Sequence, residues 1–305
     1  MAICICLGKL ETEIITMIIV RLEGGLGNQM FQYAVGRRLS IHYNVPLALD
    51  ISAYTTSREA YLTPRNYELG IFNLPVTQIK AHEQLHKYYL YPRTFWERMV
   101  GKVNRLIDHF NVVYESNTKY SNNLLHAGGN CYLIGYWQDE KYFSEIRSIL
   151  LQDFSFPYTS QPELTDILKE IWSTNSISVH VRRGDYVSNP IFANRYYACE
   201  QSYYQEAISL ITQKTSEPRF FIFSDEPEWI RHHFNFISDY KIVHFEDPGL
   251  DMYLMSQCKH NIIANSSYSW WAAWLNQNKA KQVIAPRFWF KDKDNNPASK
   301  EWILI

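Results

Sequence analysis

The sequence predicts an α/β fold made of two Rossmann-like domains that face each other across a cleft. Segments typical of buried strands alternate with segments typical of helices in both halves of the chain, which is the pattern of parallel sheets with crossover helices. A proline-containing stretch at residues 156–162 separates the halves and is typical of a linker. We therefore expect an N-terminal domain over residues 1–160 and a C-terminal domain over residues 161–305.

The N-terminal half opens with a predicted βαβ unit. Ile18–Leu22 is apolar enough for a buried strand, Gln29–Tyr43 has helical periodicity, and Pro46–Asp50 is the next predicted strand. One or two helices are expected over residues 81–110, and a further strand over Cys131–Trp137.

The C-terminal half alternates more regularly. Its predicted strands are Ser176–Val181, Arg219–Phe223, Lys241–Phe245, Asn261–Ala264 and Gln282–Ala285. Its predicted helices are Tyr197–Gln213, Pro227–Phe234, Leu250–His260 and Trp270–Gln277. Ligands of open α/β sheets bind beyond the carboxyl ends of the strands, and the motifs described below fall at such ends.

The composition excludes several classes of protein. A formal net charge of -1 over 305 residues gives no basic surface for nucleic acid, so no such partner is expected. The five cysteines are scattered and form no CxxC pair, which favours a reducing cytoplasm over a disulfide framework or a zinc site. Met17 stands directly before the first predicted strand, so residues 1–16 are expected to be an extension outside the fold.

A glycine-rich segment, Gly24–Gln29, joins the first predicted strand to the first predicted helix. Glycines let the backbone approach a ligand closely, and the N–H groups of a helix N-terminus attract anions. A dinucleotide-binding fingerprint would carry another glycine where Met30 stands. The segment therefore predicts either an anion site of another kind or a tight strand-to-helix turn.

A basic motif, His-Val-Arg-Arg-Gly-Asp-Tyr, follows the predicted strand that ends at Val181. The guanidinium groups of Arg182 and Arg183 match phosphate oxygens in pairs and keep their charge at any working pH. The motif predicts a diphosphate site, and the alternative is an arginine–aspartate ion pair on the surface.

Two further strand ends carry hydroxyl and carboxylate groups. In Phe-Ser-Asp-Glu-Pro, Asp225 could accept hydrogen bonds from a ribose or base, or it could cap the following helix. The segment Ile-Ile-Ala-Asn-Ser-Ser-Tyr-Ser-Trp-Trp, at 262–271, runs from a strand into a helix through hydroxylated residues. It predicts contacts to phosphate or sugar oxygens, beside an ordinary N-cap by one of the serines.

Taken in order, these segments resemble the inverting alpha-1,2-fucosyltransferases of glycosyltransferase family 11, bacterial members especially. The resemblance spans nearly everything after Met17 and rests on four motifs, which are GGLGNQMFQYA at 24–34, GYWQD at 135–139, HVRRGDY at 180–186 and IIANSSYSWWAA at 262–273. It implies a GT-B fold in which the C-terminal domain holds most of GDP-fucose and the acceptor is reached from the N-terminal domain.

The resemblance also implies the reaction, which is direct displacement with inversion that moves L-fucose to the 2-hydroxyl of a terminal galactose. Related fucosyltransferases carry a similar His-x-Arg-Arg segment at the donor diphosphate, so Arg182 is the expected catalytic contact. Asp185 is the first candidate for a general base and Glu23 the second, although Asp185 could instead orient an arginine or the loop. Asn28 would face the donor across the cleft.

The expected site divides into three groups. The catalytic group is Arg182, Asp185 and Asn28. The donor-binding group is Gly25, Gly27, Asn28, His180, Arg182, Arg183, Ser224, Asp225, Asn265, Ser266, Ser267 and Tyr268. The acceptor-binding group is Arg65, Tyr136, Trp137 and Gln138.

No metal or other cofactor is expected. The pair Asp292 and Asp294 lies in a Lys/Asn/Pro-rich stretch, and the resemblance implies metal-independent transfer in which arginine replaces the metal. The expected substrates are GDP-fucose and a galactoside-terminated oligosaccharide or lipid-linked glycan, as in the biosynthesis of O-antigen or another surface glycan.

Two alternatives and one location stay open. A non-catalytic carbohydrate-binding protein would explain 22 tyrosines and 9 tryptophans but not the arginine pair, and a dinucleotide-dependent oxidoreductase is disfavoured by Met30. Residues 86–109 interleave basic and aromatic side chains and could form an amphipathic face at a membrane, or an ordinary surface helix. The expected location is the cytoplasm, with peripheral contact to the inner membrane as the alternative.

Overall fold

In the computed structural model, the described residues are 16–54, 65–80, 94–108, 111–115, 120–157, 162–291 and 296–305. The chain divides into two compact units, Met1–Phe154 and Ser155–Ile305, which we call the N-terminal and C-terminal units. The sequence predicted a boundary after residue 160. The predicted extension lies outside the described residues except for Thr16, and so does the stretch 81–93.

The N-terminal unit is built on a parallel sheet of five strands. Its elements are β1 (Ile18–Arg21), α1 (Leu26–Tyr43), β2 (Leu47–Asp50), β3 (Thr77–Ile79), α2 (Phe95–Asp108), β4 (Asn111–Tyr114), β5 (Cys131–Ile134) and α3 (Arg147–Asp153). The strand order is β3-β2-β1-β5-β4, and each neighbouring pair is parallel. From β1 the chain moves first to one side and later to the other, so the gap between β1 and β5 is the switch point of this sheet.

Close packing of α1 on the sheet fixes the loop that leads into it. A Cβ built on Gly36 would lie 2.4 Å from Val20 Cγ2 and 2.9 Å from Leu47 Cδ1, so only a glycine lets the helix approach β1 and β2 this closely. The helix ends at Asn44, whose φ of 54° is left-handed and closes the helix in the usual way. The glycine-rich segment before α1 is therefore held at the carboxyl edge of the sheet.

The C-terminal unit is built on a parallel sheet of six strands. Its elements are α4 (Thr165–Ser173), β6 (Asn175–Val181), α5 (Gly184–Ser188), α6 (Pro190–Arg195), α7 (Gln201–Thr212), β7 (Pro218–Ser224), α8 (Pro227–His233), β8 (Tyr240–Val243), α9 (Pro248–Gln257), β9 (His260–Ile262), α10 (Ser267–Leu275), β10 (Val283–Ala285) and β11 (Ile303–Leu304). The strand order is β11-β10-β9-β6-β7-β8, with parallel neighbours throughout. Its switch point lies between β6 and β9.

Apolar strands and aromatic helices fill the core of this unit. Ile177, Val179 and Val181 of β6 are fully buried, as expected for the central strand of a sheet covered on both faces. Trp270 and Trp271 of α10 are also fully buried, and their rings meet edge to face at 5.0 Å. The N-terminus of α10 is thus anchored by burial of its own first turns.

The predicted α/β class with parallel sheets is confirmed. Every strand predicted in the two halves is present, with bounds that shift by one to three residues. The sequence did not predict the edge strands β3 and β4, whose residues are exposed or half-buried, because such strands lack a continuous apolar run. It also missed the short helices α5 and α6, which fall below the length at which periodicity is visible.

Helix α2 begins with a reciprocal cap and carries exposed aromatic residues. Thr94 N–H donates to Glu97 Oε2 at 3.0 Å, and Glu97 N–H donates to Thr94 Oγ1 at 3.2 Å, which is a capping box. Phe95 and Trp96 are largely exposed. Among the residues that the structure describes, no helix is long and apolar enough to cross a membrane.

Candidate functional site

Three of the predicted motifs follow adjacent strands in the C-terminal unit. In the register of the sheet, His180 pairs with Phe223 and Val181 with Ser224, while Val179 pairs with Ile262 on the other side. The carboxyl ends of β6, β7 and β9 therefore meet at one edge, beside the switch point. This is the edge at which open α/β sheets bind ligands.

The Arg182 guanidinium is held by Asp225. Arg182 Nη1 lies 2.9 Å from Asp225 Oδ2, and Arg183 N–H donates to Asp225 Oδ1 at 3.1 Å. A Cβ on Gly184 would lie 2.5 Å from Asp225 Oδ2, so this glycine leaves the room that the carboxylate needs. Both side chains of the pair are mostly buried, at 22% and 27% exposure, which distinguishes the pair from a solvated surface salt bridge.

The second arginine turns towards helix α8. Arg183 Nε lies 3.2 Å from Glu226 Oε2, and its guanidinium stands 4.1 Å above the Trp229 ring. Arg182, in contrast, lies 5.6 Å from the Tyr186 ring on the short helix after β6. The two consecutive arginines therefore have different surroundings, with Arg182 paired to Asp225 and Arg183 to Glu226.

Asp225 does not cap the helix that follows it. The N-cap residue of α8 is Glu226, which makes no side-chain capping bond. The turn is closed instead by the buried Ser224, whose Oγ accepts from Glu226 N–H at 3.0 Å. Asp225 is thus an arginine-orienting group in this structure, while its predicted contact with the nucleoside stays a prediction.

The imidazole of His180 is buried and neutral. Burial, with a further contribution from the Arg182 charge, lowers the pKa of His180 to about 3. The ring centroid lies 5.5 Å from that of Tyr268. Its Nδ1 is buried with no hydrogen-bond partner among the described residues, so the ring brings β6 and the start of α10 together as an uncharged group.

The N-terminus of α10 lies at this edge and has no side-chain cap from its N-cap residue. Ser266 is the N-cap residue, and its hydroxyl makes no capping bond. Ser267 opens the helix, and Tyr268 donates its hydroxyl to the carbonyl of Pro248. Ser269 turns back to the carbonyls of Ala264 and Ser266, both at 3.4 Å. Ser266 therefore does not cap the helix with its side chain, and the first turn of α10 starts at the sheet edge where a helix N-terminus can attract an anion.

Asn265 supports the loop between β9 and α10 from beneath. Its amide nitrogen donates to the carbonyl of Trp289 at 3.2 Å and to that of Tyr197, and its oxygen lies 3.7 Å from Cys199 Sγ. Tyr186 Oη donates to the Asn265 carbonyl at 3.2 Å. The Asn265 side chain is fully buried and committed to these contacts, so it positions the loop in this structure.

The glycine-rich segment of the N-terminal unit is a tight turn whose helix N-terminus is already occupied. Leu26 N–H, the first amide of α1, donates to the carboxylate of Glu68. Gly24 has a φ of 79°, and a Cβ there would lie 2.4 Å from Asn28 Nδ2. Gly25 is the N-cap residue and Gly27 is buried inside the first turn. An internal carboxylate therefore stands where an external anion would be bound.

Three of the four predicted acceptor residues lie around this turn. Gln138 Nε2 donates to Asn28 Oδ1 at 2.8 Å, and the Arg65 side chain comes within 3.9 Å of a Cβ built on Gly25. Tyr136 lies beside them in the loop after β5 and is half-buried. The fourth, Trp137, is buried at a left-handed φ of 56°, and its contact with the acceptor stays a prediction.

Glu115 holds the loop after β5, and sequence reasoning did not identify it. Its carboxylate accepts from Tyr136 N–H at 2.7 Å and from Trp137 N–H at 3.0 Å. Gly135 has a φ of 153°, and a Cβ there would lie 2.4 Å from Glu115 Cβ. No sequence motif marks this glutamate, because its partners lie more than twenty residues away along the chain.

Among the described residues, no group of three or more His, Cys, Asp or Glu side chains is arranged to hold a metal ion. Asp292 and Asp294 lie outside the described residues. The backbone of Asp185 lies in the first turn of helix α5, after Gly184, whereas its side chain lies outside the described part of the chain. The proposed roles of these three residues therefore stay predictions.

Proteins with similar sequences are glycosyltransferases of bacteria and mammals. An alpha-1,2-colitosyltransferase of Escherichia coli is 34% identical over 298 residues, which cover 95% of this chain and 99% of that protein. The O-antigen biosynthesis glycosyltransferase WbnK of Escherichia coli is 32% identical over 304 residues, 93% of this chain and 99% of that protein. Galactoside 2-alpha-L-fucosyltransferase SEC1 of Bos taurus is 29% identical over 154 residues, 47% of this chain and 41% of that protein.

Among solved structures, fucosyltransferase NodZ from Bradyrhizobium aligns with 84% of this chain and 92% of its own, with a TM-score of 0.48 and 13% identity. The model of glycosyl transferase family 11 matches residues 1–305. With two relatives above 30% identity over almost the whole chain, the protein belongs to glycosyl transferase family 11.

Proposed function

We propose that the protein is an inverting galactoside alpha-1,2-fucosyltransferase, which moves L-fucose from GDP-fucose to the 2-hydroxyl of a terminal galactose. The observation that carries this proposal is that Arg182, held by Asp225, and the N-terminus of α10 follow neighbouring strands at one edge of a parallel sheet. The names of two relatives, an alpha-1,2-colitosyltransferase and a galactoside 2-alpha-L-fucosyltransferase, support transfer to a 2-hydroxyl.

In the proposed reaction the C-terminal unit stabilises the departing GDP. The acceptor oxygen forms a bond to the anomeric carbon of fucose while the bond from that carbon to the diphosphate oxygen breaks, and its electron pair leaves with GDP. The Arg182 guanidinium, oriented by Asp225, and the first amides of α10 would stabilise the charge that develops on the diphosphate. The hydroxyls of Ser266 and Ser267 would donate to the same group.

His180 and Arg183 have supporting roles in this proposal. The buried, neutral imidazole of His180 would contact the nucleoside without adding charge next to Arg182. Arg183 would hold the loop against α8 through Glu226 and Trp229, and so fix the direction in which Arg182 points. Ser224 would close the turn that presents Asp225.

The N-terminal unit would bind the acceptor. Gln138 and Asn28 already form one hydrogen-bonded pair, and Arg65 borders the same turn. Such polar groups suit the hydroxyls of a sugar ring, which are both donors and acceptors. Tyr136 adds a half-buried aromatic side chain to the same surface, while Gly25 and Gly27 keep the turn compact.

Metal-independent transfer is part of the proposal, since a fixed guanidinium would supply the positive charge that Mg²⁺ or Mn²⁺ supplies in other nucleotide-sugar transferases. The test is sugar transfer to lactose and other beta-galactosides in EDTA, from GDP-fucose, GDP-colitose, GDP-mannose and UDP-galactose, with linkage analysis of the product. We expect inverted fucose at the galactose 2-hydroxyl. Transfer of colitose without transfer of fucose would show that the donor is GDP-colitose. Absence of both sugar transfer and GDP binding would favour a non-catalytic carbohydrate-binding protein.

We also propose that α2 touches an anionic lipid surface, which would bring the enzyme to a lipid-linked acceptor. Phe95 and Trp96 are 69% and 75% exposed, and the exposed side chains of Arg98 and Lys102 lie one turn apart on the same helix. Aromatic and basic side chains on one amphipathic helix suit the interface of an anionic bilayer. Sedimentation with phosphatidylglycerol vesicles should fall in a Phe95→Ser/Trp96→Ser variant, and unchanged sedimentation would contradict this contact.

A further inference from the structure

Glu68 borders the turn that leads into α1. Its N–H donates to Gln29 Oε1 at 2.9 Å, and its carboxylate accepts from Leu26 N–H. A Cβ built on the half-buried Gly25 would lie 3.6 Å from Glu68 Oε2 and 3.9 Å from Arg65 Cδ. The open face of Gly25 is thus flanked by a carboxylate and an arginine side chain.

Several charged and titratable groups face this carboxylate. Arg65 lies on the same segment, and the first amide of α1 points at the carboxylate from below. Tyr54, which donates its hydroxyl to the carbonyl of Gly24 at 3.0 Å, is coupled electrostatically to Glu68, Glu23 and Tyr136. Burial raises the pKa of Glu68 above its ordinary value, against the lowering effects of the Leu26 amide and Arg65.

The two glutamates near this turn differ in how they are bound. Glu23 Oε1 lies 2.6 Å from Arg21 Nη2, so its charge is shared with a neighbouring cation. The hydrogen bond that the structure describes for the Glu68 side chain comes from a single backbone amide. A carboxylate has several acceptor positions, so Glu68 can accept a further proton donor without breaking that bond.

The stereochemistry of the reaction separates the base from the leaving group. In an inverting displacement the nucleophile enters opposite the departing group, so the base that receives its proton acts on the opposite face of the sugar. Asp185 stands three residues after Arg182 in the loop proposed to hold the leaving diphosphate. Because the proposed function assigns the acceptor to the N-terminal unit, the candidate base is a carboxylate next to the predicted acceptor residue Arg65.

We propose that Glu68 is the general base of the transfer, an assignment that rests on the proposed function. The galactose 2-hydroxyl donates its proton to the Glu68 carboxylate while its oxygen forms the bond to the anomeric carbon. The bond from that carbon to the diphosphate breaks, and the electron pair leaves with GDP. Arg65 would hold a neighbouring sugar hydroxyl and fix the direction of the attacking oxygen.

The test compares two nucleophiles in a Glu68→Gln variant, whose amide oxygen can still accept from Leu26 N–H. With a beta-galactoside, we expect kcat to fall about 10²–10⁴-fold while the affinity for GDP is unchanged. With azide, an anion that needs no base, turnover to fucosyl azide should match that of the wild type. An exposed glutamate, Glu145, provides the matched control Glu145→Gln, which should behave as wild type in both reactions.

The pH dependence of kcat gives a second, independent readout. Activity should fall at acidic pH as the base is protonated, and this limb should vanish in Glu68→Gln yet persist in Glu23→Gln and Asp185→Asn. Equal loss of galactoside and azide turnover in Glu68→Gln, or an acidic limb that disappears only in Asp185→Asn, would overturn the assignment. Wild-type protein that binds GDP-fucose and makes no fucoside would overturn the proposed function itself, and the base with it.

Discussion

The N-terminal and C-terminal units differ in the contacts made where a helix begins beside the switch point of the sheet. Each is a parallel sheet with a switch point next to its central strand, and in each a helix begins after a strand that borders this switch point. In the N-terminal unit the first amide of α1 is bonded to Glu68. In the C-terminal unit the N-cap residue of α10, Ser266, makes no side-chain capping bond, and Arg182 stands at the neighbouring strand end.

This difference shows that the presence of a glycine-rich strand-to-helix turn does not by itself locate an anion site. An internal carboxylate already bonds to the first amide of α1, whereas the start of α10 carries the hydroxyls of Ser266 and Ser267 and lies after the strand next to the one that precedes Arg182. We therefore propose that the C-terminal unit binds the diphosphate and the N-terminal unit binds the sugar acceptor. The following variants test that division.

The largest effect is expected from Arg182→Ala. Loss of the guanidinium should lower kcat about 10²–10³-fold, the usual cost of removing one group that stabilises charge in a transition state. Steady-state kinetics with GDP-fucose and a galactoside measures it. The matched control is Arg231→Ala on α8, whose side chain is half exposed in a pair with Glu228 and which should leave kcat unchanged. Near-full turnover of Arg182→Ala would contradict the role of Arg182 in stabilising the departing diphosphate.

The serines at the start of α10 should follow. Because a hydrogen bond to a charged group contributes about 1.5–3 kcal/mol, Ser267→Ala should weaken GDP binding roughly 10–100-fold. Calorimetric titration of GDP measures the affinity. Ser269→Ala is the control, since the Ser269 hydroxyl already bonds to carbonyls of the same turn. An equal loss of affinity in both variants would mean that the effect is structural.

Glu115→Gln sharpens the acceptor side of the comparison. The Glu115 carboxylate accepts hydrogen bonds from two backbone N–H groups. In the variant the NH₂ group of the new amide would face one of these donors, so the loop that carries Gln138 should shift. We expect the KM for the acceptor to rise about tenfold, which corresponds to about 1.4 kcal/mol, with an unchanged affinity for GDP.

A double-mutant cycle separates positioning from a general loss of stability. If Glu115 acts through the Gln138–Asn28 pair, Glu115→Gln should have little further effect on the acceptor KM in a Gln138→Ala background. Additive losses in the double variant would show that Glu115 acts by another route.

The smallest effect concerns His180 and stability. Its folded pKa of about 3 lies below the ordinary 6.5, so between these values the unfolded chain binds more protons and stability falls as the pH decreases. As the pH falls from 6.5 towards 4, His180 should lower the free energy of unfolding by up to about 1.4 kcal/mol per pH unit. Urea unfolding at several pH values measures this dependence. The free energy of unfolding of His180→Asn should change less steeply with pH than that of the wild type, while that of His232→Asn, on the exposed face of α8, should change as steeply as in the wild type.

The sequence anticipated those parts of the site that follow from topology. The motifs after Val181, Phe223 and Ile262 come together because parallel neighbouring strands present their carboxyl ends at one edge. It could not show that Arg183 turns to Trp229 while Arg182 stays with Asp225, since side-chain direction depends on tertiary packing.

Contacts between distant residues were equally hidden. Glu68 reaches Leu26 across 42 residues of chain, and Glu115 reaches Tyr136 across 21. Neither of these contacts was predicted, because a bond to a backbone amide carries no sequence signature. The sequence likewise did not indicate that Trp137 is buried at a left-handed φ, and its contact with the acceptor stays a prediction.

The most direct test of the division between the units is titration of GDP in EDTA against the wild type, Arg182→Ala and Gln138→Ala. We expect Arg182→Ala to weaken GDP binding at least tenfold, which is a loss of about 1.4 kcal/mol of binding free energy. We expect Gln138→Ala to leave the affinity for GDP unchanged. Unweakened binding in Arg182→Ala, or an equal loss in Gln138→Ala, would contradict the assignment of the diphosphate to the C-terminal unit.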